Sequence, residues 1–172
     1  VEGTSEPLSE VDAEWKLVTP ETVSQFSATA FFFGARLSAD RSVPVGLIQA
    51  ANGGTNAYSW INSETLASDP TAAVTRDYWS VTVRNHPDAM ARYKEALAKW
   101  IVKRDAAKEA GESFVKRAPR EPLGPDHVKR PAGHYNAMVA PLQPYAIRGV
   151  IWYQGEANSR PPFNVGYRDL MF

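Results

Sequence analysis

Cysteine is absent from the 172 residues, which excludes disulfides, thiolate nucleophiles and Cys-ligated metal together. Histidine occurs three times, and no His-x-x-x-His pair offers metal-ligand spacing, so neither a metal nor a cofactor is expected. An excess of one charge is also missing. Nineteen Lys and Arg balance nineteen Asp and Glu, leaving no electrostatic footprint for nucleic acid or an anionic membrane. No apolar run approaches the ~20 residues of a membrane helix. Val1 to Glu10 has neither the basic nor the apolar region of a signal peptide. The chain does not open with Met, and Tyr167 to Phe172 reads as mid-helix. Both ends are therefore expected to be cuts through a longer protein.

What is present suits one globular domain: 44% of residues are hydrophobic, and the length allows a buried core. Thr19-Pro20-Glu21 combines a capping residue, a proline suited to the first helical position and an acid for the helix dipole. Val23, Phe26, Ala30, Phe33 and Leu37 continue it at helical spacing. With Phe31 and Phe32 beside that stripe, a helix covered on more than one side is expected. Val45 to Ala50 reads as a buried strand, followed by a loop at Asn52-Gly53-Gly54-Thr55-Asn56 and a helical segment from Tyr58 to Leu66. Residues 85–110 carry the stripe Met90, Tyr93, Leu97, Trp100 and Ile101 of an amphipathic helix, with Gly111 as its stop. Four prolines between 118 and 132 mark an irregular connection, and Tyr135 to Tyr145 a broken helix. Ala146 to Tyr153 reads as a second buried strand, followed by the polar loop Gln154-Gly155-Glu156-Ala157-Asn158 and a helix from about Asn164. The alternation predicts a layered α/β domain with a parallel sheet, whose ligands bind beyond the carboxyl ends of the strands. Both polar loops fall there.

Those loops carry the only chemistry in view. Gly53-Gly54-Thr55 offers backbone amides that can approach a developing oxyanion, or else forms a plain tight turn. Gln154 offers a carboxamide donor and Glu156 a carboxylate able to orient a histidine or bind a sugar hydroxyl; the plain alternative is loop capping. Together they suggest an acyl-transfer site. A nucleophile is lacking: there is no Gly-x-Ser-x-Gly elbow, and Ser27, Ser59 and Ser63 have no histidine nearby in sequence. His86 and His127 read as solvated, and His134 as a satisfied surface residue, with the edge of a cleft as the alternative.

The stretches WKLVTPETVSQFSATAFFFGARL, VPVGLIQAANGGTNAYSW and HYNAMVAPLQPYAIRGVIWYQGEAN resemble the sialate O-acetylesterase-like family of SGNH hydrolases, VAPLQPYAIRGVIWYQGEAN most specifically. The resemblance implies a flavodoxin-like three-layer α/β/α fold, incomplete here, forming the central part of one domain over 1–172 with a helical insertion at about 85–133. It implies removal of acetyl groups from sugars by serine-esterase chemistry. The family's Gly-Gln-Ser-Asn and Asp-x-x-His motifs, which supply nucleophile and base, are both absent. By resemblance Gly54, or its neighbour Gly53, is an oxyanion donor, Gln154 takes the place of the usual asparagine, and Glu156 is the triad acid. Thr55, Trp60, Tyr135, Asn136 and Asn158 line the substrate cleft. Asn52, Asn56 and His134 depart from the common Trp, Pro and Leu. The resemblance also implies export, and an acetylated carbohydrate as partner rather than nucleic acid or membrane; it leaves the oligomeric state open. A non-catalytic carbohydrate-binding domain that kept these loops is the competing reading.

Overall fold

A computed structural model describes residues 3–171. Its elements are helices and turns, with no strand among the described residues, so the expected three-layer α/β/α fold is overturned. Residues 43–55 and 146–155 are irregular or extended and have no ladder partner. Their side chains are mostly exposed, Val150 at 75% and Tyr153 at 77%. A short apolar run signals an extended backbone, but pairing depends on a partner that local pattern does not encode.

Helix α1 spans Pro20–Val23 and is closed by the anticipated cap. The Thr19 hydroxyl accepts from the Thr22 amide, and the Thr22 hydroxyl accepts from the Thr19 amide. The single helix expected through Leu37 is broken at residues 24–27 and restarts as α2, Ala28–Arg41, where Ser27 caps the Ala30 amide. Ser27 favours this restart because its hydroxyl competes for local backbone bonds. The Ser27 amide is held by the Gln49 side chain at 2.5 Å. Gly34 allows Leu47 to pack on α2, since a β-carbon there would lie 2.7 Å from the Leu47 methyl. The expected burial of the phenylalanine cluster is corrected: Phe32 and Phe33 are 69% and 51% exposed.

The core lies further along. Tyr58, Leu66, Ala72 and Ala132 are buried against one another, with Ile61, Phe163 and Leu170 packed around them. A 3-10 turn (Ala57–Trp60), helix α3 (Ser63–Ser68, capped by Asn62) and a second 3-10 turn (Pro70–Ala72, capped by Asp69) feed this core. Arg76 ties the start of the next helix to it by donating to the Leu66 and Asp69 carbonyls at 2.8 and 2.7 Å. That helix, α4, runs for 37 residues, Ala73–Glu109, beginning twelve residues before Asn85 and passing through Pro87. Its β-branched start and its proline both disfavour helix; the Arg76 bonds and the edge contact of Tyr78 on Phe163, 4.7 Å between centroids, anchor it nonetheless. Gly111 ends it at φ +67°, with the Glu112 amide bonding back to the Ala107 carbonyl at 2.8 Å, the left-handed stop its glycine suggests.

The return segment runs back along α4. The Trp100 indole donates to the Lys116 carbonyl at 2.7 Å, and Gly124 lies against the His86 ring, where a β-carbon would clash at 2.2 Å. His86 is thus half-buried, its Nδ1 3.0 Å from the Leu123 carbonyl, rather than solvated. Beyond it, Tyr135–Val139 forms a π-helical turn and Ala140–Leu142 a 3-10 turn, the broken helix expected there. A 3-10 turn at Glu156–Asn158 and helix α5, Tyr167–Met171, complete the described chain.

Candidate functional site

The two polar loops meet. The Gln154 carboxamide donates to the Thr55 carbonyl at 3.1 Å and to Asn158 Oδ1 at 2.7 Å, and its own oxygen accepts from the Tyr167 hydroxyl at 2.6 Å. Asn158 Oδ1 also accepts from the Ala57 amide at 3.0 Å. Five residues from three segments therefore close one network across the base of both turns. Gly155, at φ +154°, allows the chain to bend between Gln154 and the following 3-10 turn in a conformation that side chains rarely adopt.

This network determines which groups remain free. Gln154 Nε2 has two hydrogens, and both already have acceptors. The expected use of Gln154 as an oxyanion donor would require one of those bonds to open. The amides of Gly53 and Gly54 donate to no acceptor among the described residues. Both glycines are exposed, and space beside Gly53 is open. Gly54 sits at φ +69°, where a β-carbon would cost about 1–2 kcal/mol. Glu156 is exposed, and its carboxylate makes no ion pair among the described residues.

Three of the expected substrate residues are buried and committed to structure. The Thr55 hydroxyl donates to the Asn52 carbonyl and accepts from the Trp60 indole at 2.9 Å. Asn136 donates to the Thr4 and Ser5 carbonyls, fixing the N-terminal segment, and Asn158 belongs to the network above. Trp60 is half-buried and stacks on His134, with ring centroids 5.0 Å apart. Tyr135 and Asn136 line a cavity of about 540 Å³ with Glu6, Asn62, Ser63 and Glu64. No residue of the two loops lines that cavity.

Two residues that sequence reasoning missed belong here. Tyr167 completes the Gln154 network. Lys129 donates from Nζ to the Gly54 carbonyl at 2.8 Å, placing an ammonium beside the glycine turn. Both act across long stretches of chain and carry no local signal.

His134 is corrected from a satisfied surface residue: it is fully buried, and neither ring nitrogen has a hydrogen-bond partner. Burial holds its pKa below the ordinary histidine value, with the Lys129 charge acting the same way. The unfolded chain therefore takes up a proton before the folded one does. Stability should be fully present above about pH 6.5 and fall as pH drops below it. His127, shifted the same way by the same causes, adds to that slope. In His134→Phe, unfolding followed against pH should show a shallower acid slope; an unchanged slope would exclude His134 as a source of it.

No family profile matches the chain, and no solved structure matches it. Curated esterases do. They are sialate O-acetylesterases: the rat protein is 29% identical over 160 residues, covering 88% of this chain and 26% of its own length. The mouse protein is 27% identical over the same shares, and the human protein 26% over 162 residues, 89% of this chain and 22% of its own. The likeness carried by the sequence motifs is thereby borne out. The chain spans about a quarter of the length of these relatives.

Proposed function

We propose that this chain supplies the carbonyl-binding loops of a carbohydrate O-acetylesterase acting outside the cytoplasm, with the serine and histidine contributed by segments beyond these residues. The observation that carries the reading is the joining of the two loops through Gln154, with the Gly53 and Gly54 amides and the Glu156 carboxylate left without partners among the described residues. In the reaction the serine hydroxyl attacks the acetyl carbonyl while the histidine takes its proton. The oxyanion that forms accepts from the glycine amides, each such donor being worth roughly 10²–10³ in rate. The sugar hydroxyl leaves with the proton, and water then releases acetate. Glu156 orients the histidine, Lys129 aligns the Gly54 peptide and adds a positive charge near the oxyanion, and Gln154 keeps the loops in register.

The test compares two proteins. The 172-residue chain alone should hydrolyse p-nitrophenyl acetate at the background rate. A longer protein containing it should deacetylate sugars and react with a fluorophosphonate at a serine outside these residues. Robust turnover by the short chain that survives Gln154→Ala would refute the assignment.

A further inference from the structure

Helix α4 and its return segment flank a second, half-open cavity of about 410 Å³, lined by Lys99, Trp100 and Lys103 on the helix and Lys116, Arg117 and Pro119 on the return. Its volume falls within the range of small-molecule sites. Residues 99, 100 and 103 share one helix face by spacing. Its walls are mostly apolar, formed by the indole and the aliphatic stems of four exposed basic residues with no acid among them, in a chain whose formal charge is zero. One nearby acid, Glu95, pairs with Lys99 at 2.5 Å; Lys103, Lys116 and Arg117 make no ion pair among the described residues. The indole is held in place by its bond to the Lys116 carbonyl, the Phe114 edge at 5.7 Å and the Arg104 guanidinium 5.1 Å from its centroid.

We infer that this cavity is an accessory binding site for carboxylated sugar residues. A pyranose ring presents an apolar face suited to an aromatic wall, and its carboxylate suits ammonium and guanidinium donors. Trp100 lies 22 residues beyond Tyr78, the point where α4 leaves the core, which is roughly 33 Å along a helix. The site is thus remote from the glycine turn. It holds a polymeric acidic substrate by a second point while an ester on the same polymer reaches the loops, so that the two contacts add in avidity. The choice of sugar as ligand rests on the esterase reading; the binding itself requires no catalysis.

The test is calorimetric titration of the 172-residue chain with trigalacturonate and, separately, with neutral xylotriose. Trigalacturonate should bind and xylotriose should not. The Lys103→Gln/Arg117→Gln variant, altered at two exposed positions, should bind at least about tenfold more weakly, as expected from losing charge-assisted hydrogen bonds, with its far-UV circular dichroism unchanged. Trp100→Ala should also weaken binding. Equal binding of the neutral sugar, an unaffected double variant, or displacement by inorganic phosphate at equal concentration would overturn the proposal, as would tighter binding of a short oligonucleotide. A negative result here leaves the esterase reading intact, because that reading is measured by acetate release.

Discussion

Replacing Gln154 with leucine should lower the unfolding free energy by about 2 kcal/mol, although the side chain is only half-buried and its volume is kept. Leucine leaves the Thr55 carbonyl without its partner and the Tyr167 hydroxyl with only its longer bond, 3.2 Å, to the main-chain carbonyl of residue 154; stranding such groups costs roughly 1–3 kcal/mol each, reduced where water reaches them or a second bond remains. For a chain of this size that corresponds to a melting temperature roughly 4–8 °C lower. Glutamate is the sharper substitution. It keeps the shape and the acceptor for Tyr167 but turns the donor edge, which faces the Thr55 carbonyl and Asn158 Oδ1 at 3.1 and 2.7 Å, into a third acceptor. Gln154→Glu should therefore be at least as destabilised as the leucine variant at neutral pH. It should partly recover in acid, once the carboxyl protonates and can donate. Thermal unfolding by circular dichroism at two pH values tests this; a glutamate variant as stable as the parent at neutral pH would mean the network does not hold the loops together.

The second large effect concerns rate. In the longer protein, Glu156→Gln should lower turnover on an acetylated sugar by about 10²–10⁴-fold, the span seen when a positioned acid or base, or its orienting carboxylate, is lost. The fold should be unaffected, because Glu156 is exposed and makes its recorded bonds, to the Ser159 amide and hydroxyl, through its main chain. Surface changes of this kind usually stay within about 0.5 kcal/mol. An unchanged rate would reduce Glu156 to the first residue of a 3-10 turn. With Gln154 expected to act through stability and Glu156 through rate, the two substitutions separate alignment of the loops from their proposed chemistry.

Much of the local structure was legible in the sequence. Thr19 and Gly111 announce their helix ends because capping bonds lie within a few residues. The prolines at 141 and 144 announce a broken helix just as locally, since each lacks the amide hydrogen and crowds the preceding turn. The meeting of the two loops was expected from their places at the carboxyl ends of two paired strands, and no such sheet aligns them among the described residues. In its place a side-chain network does the aligning, and Gln154 within it is a clasp, a role visible only once Tyr167 and Asn158 are seen around it. The sheet was misjudged because Val45 to Ala50 and Ala146 to Tyr153 have the composition of buried strands, whereas pairing is a property of two segments. The twelve residues of α4 before Asn85 escaped for the opposite reason: the β-branched pair Val74-Thr75 argues against helix, and the Arg76 and Tyr78 anchors that override propensity are tertiary. His134 illustrates the same limit, since nothing in Gly133-His134-Tyr135 foretells stacking on Trp60.

The bare stretch from Ile147 to Tyr153 has a practical consequence. Its main-chain donors and acceptors have no ladder, and its valine, isoleucine and aromatic side chains face water. Such a ribbon templates the same ribbon in a neighbouring molecule, and a chain with no net charge has little long-range repulsion to keep neighbours apart. Handled by itself near neutral pH, the chain should behave as a sticky colloid whose association rises with concentration, and lysines placed at Val150 and Tyr153 are the economical way to blunt it.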